Sequence, residues 1–239
     1  FGRLIQGKIS SILLEADREG LVCVLKSPYD LTPQERDTLL QAAKPYFQNV
    51  SLMAGEKEVG GYGRLILELP LNEAESLVLR VPAGYFSQVN TEINRTLIAH
   101  VIQGLGPLQG KKVFDLYGGA GNFALPLANM GARVTAVDCD ERLISFGLQR
   151  VKHYALEKNL KFVCSSTEKF LEKPGDKPDL IVADPPRSGL GPLTGPLTWM
   201  LKAERMCLVS CHLPSFVRDL KALVSEGWTV ETIQPFDMF

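Results

Sequence analysis

Three stretches of the chain carry residue types that could do chemistry together. Gly119-Ala120-Gly121-Asn122-Phe123-Ala124 has the spacing G-x-G-x-x-A, a tight turn that lets backbone N–H groups approach a ligand closely. Asp115 lies just before these glycines, and Asp138 follows Asp115 by 23 residues. Asp184-Pro185-Pro186-Arg187 holds a carboxylate on a stiff corner. A residue before proline is kept out of the helical region, and two prolines remove two N–H donors. Ser210-Cys211-His212 offers a thiol, the strongest of the common nucleophiles near neutral pH.

Alone, the glycine spacing fits a dinucleotide, and fits as well a strand-to-helix turn that binds nothing. Charge separates the ligands. A pyrophosphate at the glycines would meet the like charge of Asp115, whereas a ligand bearing an ammonium and a sulfonium would be attracted. Asp138 is spaced to accept both hydroxyls of a ribose. S-adenosylmethionine meets three demands: close backbone approach, a cation near Asp115 and a ribose at Asp138. NAD meets two. Arg187 could grip a phosphate or orient Asp184. The lack of an aromatic residue in that slot speaks against stacking a base for methylation of an exocyclic nitrogen. A cysteine taken alone is more often inert core. Cys207 reads that way, while Cys211 stands at a strand exit before a His-Leu-Pro turn.

The elements that must position these groups are legible from residue 111 onward. Residues 112–116, 133–137, 160–164, 179–183 and 206–210 are short runs rich in Val, Leu, Ile and Phe without polar alternation, as expected of strands covered on both faces of a parallel sheet. Helical patterns lie between them, such as Leu143, Leu148, Val151 and Ala155, or Phe216, Val217, Leu220, Leu223 and Val224, with Gly227 placed to stop the last. This alternation predicts an α/β domain with a doubly wound, mostly parallel, Rossmann-like sheet. Ligands bind such sheets beyond the carboxyl ends of the strands, where all three stretches fall. Strand five is expected beside strand four, so that Cys211 and Asp184 face one cleft.

Residues 1–85 read as a smaller α+β domain, and 86–239 as the larger one. The first part has apolar runs at 21–25, 50–53, 65–69 and 77–81, separated by turn residues. Thr32-Pro33-Gln34-Glu35 predicts a capped helix start, with Leu39, Leu40, Ala43, Tyr46 and Phe47 on one face. Gly60-Gly61-Tyr62-Gly63 reads as a hairpin turn.

Composition narrows the class. The 239 residues are 45% hydrophobic and 22% charged, which is globular. The net charge is −1, and the pI of about 6.4 is far below the value above about 9 usual for domains that grip nucleic acid by charge alone. The five cysteines contain no C-x-x-C pair and the three histidines lack ligand spacing, so neither a disulfide framework nor a metal site is expected. No apolar run approaches the roughly 18 residues of a membrane span. A soluble, cytoplasmic monomer is the expectation, and the start at Phe1 rather than Met reads as that of a fragment or a renumbered chain.

The linked motifs resemble those of the S-adenosylmethionine-dependent RNA 5-methyluridine methyltransferases, closely over the last two-thirds of the chain. Phe86-Ser87-Gln88-Val89-Asn90 is similar to the family's F-x-Q-x-N. Residues 115–123 resemble D-L-Y-x-G-x-G-N-F, 184–190 match D-P-P-R-x-G-L, and Ser210-Cys211 is similar to the start of S-C-N-P, with Arg218-Asp219-Leu220 following. The resemblance implies a class I methyltransferase fold with S-adenosylmethionine as cofactor and transfer or ribosomal RNA as substrate. It implies that Cys211 adds to C6 of a uracil and activates C5, with Asp184 and Arg187 near the reacting base. Gln88, Asp115, Tyr117, Gly119, Gly121, Asn122, Asp138 and Asp184 would line the cofactor site.

The pattern also departs from the family. His212-Leu213 replaces Asn-Pro, and Ser166 stands where an acid is expected. The accessory RNA-binding barrel is not visible, and Asp237-Met238-Phe239 would lead into a segment carrying the glutamate that removes the C5 proton, so the natural protein is expected to continue. Three other readings follow: a catalytically silent RNA- or cofactor-binding relative, a methyltransferase for another base or a small molecule, and, more remotely, an NAD-dependent dehydrogenase.

Overall fold

A computed structural model describes residues 7–88, 90–198 and 202–238, so Val89 and Phe239 of the motifs above lie outside the described residues. The chain divides into two compact units. One runs to Leu69 and includes Arg80–Ser87; the other comprises Pro70–Leu79 and everything from Gln88 onward.

The smaller unit is built on a four-stranded sheet of β1 (Ser11–Asp17), β2 (Gly20–Ser27), β3 (Val50–Ala54) and β4 (Lys57–Tyr62), in that order. Helix α1 (Pro33–Ala43) starts where the sequence predicts: Thr32 accepts from the Glu35 N–H, and the Glu35 carboxylate accepts from the Thr32 N–H. Its Leu39 and Ala43 are buried with Cys23, Leu25, Val50 and Leu52. Tyr46 lies beyond the helix and is exposed.

Gly60 and Gly61 fall inside β4 rather than in a turn. A Cβ on Gly61 would lie 2.6 Å from the Val50 carbonyl oxygen, so glycine is there to let two strands approach. The pairing shifts register between Leu52 and Met53, consistent with a bulge. β5 (Ile66–Pro70) and β6 (Val78–Pro82) form a two-stranded sheet.

The larger unit opens with α2 (Thr91–Leu105), capped by Asn90, and continues as β7 (Lys112–Leu116), α3 (Ala124–Asn129), β8 (Arg133–Asp138), α4 (Glu141–His153), β9 (Leu160–Cys164), α5 (Thr167–Glu172), β10 (Leu180–Ala183), β11 (Arg205–Leu208) and α6 (Leu213–Ser225). Five strands lie in the order β11-β10-β7-β8-β9, all parallel. This is the Rossmann-like arrangement expected, with strand five beside strand four. Single hydrogen bonds carry the ladders past the strand ends: Asp184 N–H to Leu116 O, Gly118 N–H to Val137 O, Val209 N–H to Ala183 O. The exits of β11, β10, β7 and β8 therefore stand side by side.

Two expectations fail for physical reasons. Central β7, β8 and β10 are almost wholly buried, but β9 and β11 are only partly so, because they form the edges of the sheet. The inner face of α6 is also rotated from the apolar stripe: Ser215, Asp219 and Leu223 are buried while Val217 and Val224 are exposed.

Candidate active site

The turn after β7 is held by its surroundings. Tyr117 takes a positive φ of 62°, unusual for a bulky side chain, and Gly119 and Gly121 follow at 53° and 103°. The Tyr117 ring packs on the core around Phe114, Leu116 and Leu190, and burial followed by the charge of Glu168 pushes its hydroxyl up to about 12. Asp138 accepts the Gly119 N–H through one oxygen and the Asp140 N–H through the other, both at 2.8 Å. Lone pairs remain on each oxygen for a ribose hydroxyl. From below, Gly147 of α4 is so close that a Cβ there would lie 2.9 Å from the Ala120 carbonyl oxygen and collide with the Phe162 ring. Asn122 does not point to open space. Its amide exchanges hydrogen bonds of 2.8 and 3.1 Å with buried Asn94 of α2.

Asp115 is the most telling group. Its side chain is fully buried, and among the described residues neither carboxylate oxygen has a hydrogen-bond partner. Burial, then the charge of Asp184, raises its carboxyl to about 8; the Ala124 N–H acts in the opposite direction without reaching hydrogen-bonding geometry. Asp184, at the exit of β10, is itself raised by burial to about 6, tempered by a 3.1 Å hydrogen bond from Gln88 Nε2. Gln88 thus does what the sequence suggested for Arg187. Among the described residues the Arg187 guanidinium makes no ion pair with Asp184. Arg187 is exposed, and its carbonyl accepts from Ser215. Two acids and a glycine turn left wanting a positive charge fit the ammonium end of S-adenosylmethionine, and the Asp138 carboxylate fits its ribose.

Cys211 is exposed in the turn between β11 and α6. Cys207, half-buried against α2 with its sulfur 3.7 Å from the Val101 carbonyl oxygen, has its thiol pushed up to about 11 by burial, as befits a packing residue. His212 caps α6 without a side-chain cap bond, and its Nδ1 lies 3.1 Å from Ser215 Oγ. Ser215 Oγ also lies 2.8 Å from the Arg187 carbonyl oxygen and 3.0 Å from that of His212, so three neighbours share one hydroxyl. Ser166 caps α5, accepting from the Lys169 N–H, which accounts for a hydroxyl at that position.

Known proteins similar to this chain are named as RNA methyltransferases. Residues 65–177 match the family described as tRNA (Uracil-5-)-methyltransferase. A Shewanella sp. (strain ANA-3) protein named 23S rRNA (uracil(1939)-C(5))-methyltransferase RlmD is 29% identical over 238 residues, 95% of this chain and 52% of that protein. The chain is similar in sequence to proteins named as uracil-C5 RNA methyltransferases. A Thermotoga maritima protein named an uncharacterized RNA methyltransferase is 36% identical over 161 residues, 67% of this chain and 36% of that protein. The chain spans about half the length, or less, of these curated relatives. The fold matches the crystal structure of a Pyrococcus abyssi tRNA (uracil-54, C5)-methyltransferase in complex with S-adenosyl-L-homocysteine, with a TM-score of 0.72 at 21% identity over 97% of this chain and 56% of that one.

Sequence reasoning passed over Asn94, Ser215 and the role of Asp219. Asn94 had a signal, an amide on the same helical face as Leu97, Ile98 and Val101. Asp219 was legible only as a member of the Arg218-Asp219-Leu220 motif, with nothing to show what it holds, and Ser215 had no signal, because the apolar stripe of α6 was expected to govern which face is buried.

Proposed function

We propose that the chain forms the catalytic portion of an enzyme that transfers a methyl group from S-adenosylmethionine to C5 of a uridine in transfer or ribosomal RNA. The observation that carries this reading is the unpartnered, fully buried Asp115 beside Asp184 below a glycine turn, one strand away from the exit of β11 that leads to Cys211. A dinucleotide phosphate would make both buried acids harder still to ionise, whereas a cationic ligand lets them ionise and pairs with the charge.

When bound, S-adenosylmethionine supplies an electrophilic methyl group on a sulfonium. The Cys211 thiolate adds to C6 of the uracil, which places an electron pair on C5 for attack on that methyl. A base that takes the C5 proton would then let the sulfur leave C6 as thiolate and restore the C5–C6 double bond. A thiol with a reference pKa near 8.5 is only a few per cent ionised at pH 7, so a neighbouring group must take its proton. Asp115 and Asp184 hold the cationic end of the cofactor, Gln88 steadies Asp184, and Asp138 receives the ribose. The uridine has to leave its stack to reach the thiol, which costs a few kcal/mol and favours loops.

The test uses the full-length protein with methyl-labelled cofactor and uridine-containing RNA. Label should appear at C5, and RNA containing 5-fluorouridine should form a covalent adduct that is lost in Cys211→Ala. The His212-Leu213 departure favours one other reading, a silent relative; cofactor binding without transfer would establish it. Transfer that survives Cys211→Ala would point instead to another base.

A further inference from the structure

Helix α6 turns its less apolar side inward. Leu213, Val217 and Val224 are 72%, 40% and 48% exposed, whereas Ser215 and Asp219 are 5% and 2% exposed. A buried polar group costs stability unless hydrogen-bonded, and a buried charge is a poor means of gaining it. What these side chains hold explains the choice. Ser215 Oγ donates to the Arg187 carbonyl at 2.8 Å, and Arg218 Nη2 donates to the Ser188 carbonyl at 2.6 Å. Asp219 accepts the N–H groups of Leu190 at 2.6 Å and Gly191 at 3.2 Å, and its Oδ1 takes the Arg218 Nε at 2.9 Å. Gly189 sits in the middle with a φ of 77°; a Cβ there would fall on Asp219 Oδ2 and lie 3.0 Å from Ser215 Cβ.

We propose that Asp219, assisted by Ser215 and Arg218, is a positioning residue: it fastens the loop that begins at Asp184 to the helix that follows Cys211, and so sets the thiol relative to the carboxylate. The sheet alone cannot do this. Its hydrogen bonds between these two exits end with the Val209 N–H on Ala183, before either functional group is reached. Beyond that point the contacts of α6 tie one exit to the other. Positions 215, 218 and 219 have the spacing i, i+3, i+4 that puts three side chains on one helical face. The carboxylate cannot be exchanged for an amide without loss, because both oxygens accept and an amide offers one acceptor.

The kinetic part of the test rests on the proposed cysteine chemistry; the exchange part does not. Full-length protein carrying Asp219→Asn or Gly189→Ala is compared with wild type by amide hydrogen exchange. Exchange should rise at least tenfold at residues 188–191 and in the 210–215 turn, with β7 and β8 still protected. No change, or a uniform rise across the sheet, overturns the proposal. If neither variant folds, Ser215→Ala, which removes the contacts of Ser215 Oγ with the Arg187 and His212 carbonyls and with His212 Nδ1 but leaves those of Asp219, should raise exchange in the 210–215 turn alone, and failure to do so counts against it equally. In methyl transfer, kcat should fall about 10- to 100-fold, as for a small misplacement of reacting groups, with the cofactor KM within about twofold. An unchanged kcat overturns the positioning role. Absence of transfer by the wild type rejects the proposed function instead, and the exchange result still decides whether the clamp exists.

Discussion

Asn94 and Asn122 face each other amide to amide, each donating to the carbonyl oxygen of the other at 2.8 and 3.1 Å. Asn94 is 2% exposed on α2, and Asn122 closes the glycine turn after β7. The pair fixes the height of the turn over the sheet, and so fixes where the Gly119 N–H meets Asp138. It is a device with no slack, since each amide satisfies what the other would leave bare.

That closure predicts the outcome of cutting it. Asn94→Leu or Asn122→Ala should each destabilise the protein by about 1–3 kcal/mol, the cost of leaving a buried amide unpaired. Removing both should cost clearly less than the sum of the two, because neither partner is then stranded. Denaturant melts of the three variants check this; strict additivity would mean that the two amides do not act as a pair.

Asp115 makes the unliganded protein sensitive to pH. Its folded-state pKa of about 8 lies above the unfolded value near 3.8, so the native state holds a proton that the unfolded chain releases. Stability should therefore fall as pH rises from about 4 to about 8, and Asp115→Asn should flatten that slope and raise the melting temperature at pH 8. A cationic ligand reverses the preference by favouring the ionised carboxylate. Binding of S-adenosylmethionine at pH 7 should release a proton, seen by calorimetry in buffers of different ionisation enthalpy, and Asp115→Asn should bind more weakly with no such release.

Much of this site was readable from residue order, and the unread part has a common cause. Asp115, the glycines, Asp184 and Cys211 could be placed because parallel strands are short apolar runs and their exits are polar, so position along the chain fixes position at the end of the sheet. The α6 face misled because a helical stripe predicts burial only when apolar contact governs, and here hydrogen bonds to residues 187–191 outweigh it. The β4 glycines misled for a related reason. A glycine demanded by the close approach of Val50 looks the same in sequence as one demanded by a turn.

Gln88 is the tuner of Asp184. Its hydrogen bond favours the ionised carboxylate against the effect of burial, which already raises that group to about 6. Gln88→Leu should move the Asp184 titration upward, while Gln88→Glu, a second acid in the same place, should move it further. Carbon-detected NMR of the carboxyl group measures both. Cofactor affinity at pH 6 should weaken in the same order, because a larger share of Asp184 is then protonated.

The floor beneath the glycine turn gives the sharpest steric prediction. Gly147 lets α4 lie against the Ala120 carbonyl and the Phe162 ring, and a Cβ there has nowhere to go without moving one of them. Gly147→Ala should cost about 1–3 kcal/mol by overpacking, more than the helix propensity of alanine returns. Gly195, with no atom within 4 Å of the same added carbon, is the control and should tolerate alanine within about 0.5 kcal/mol. Trimming the ring, as Phe162→Leu, should recover part of the loss in the Gly147→Ala background and destabilise the wild type. The opposite signs follow from one cause: in the wild type the ring fills space against Gly121 and Gly147, whereas in the variant the same ring is the obstacle. Thermal melts of the four proteins distinguish this from a backbone effect, in which Phe162→Leu would lower stability in both backgrounds.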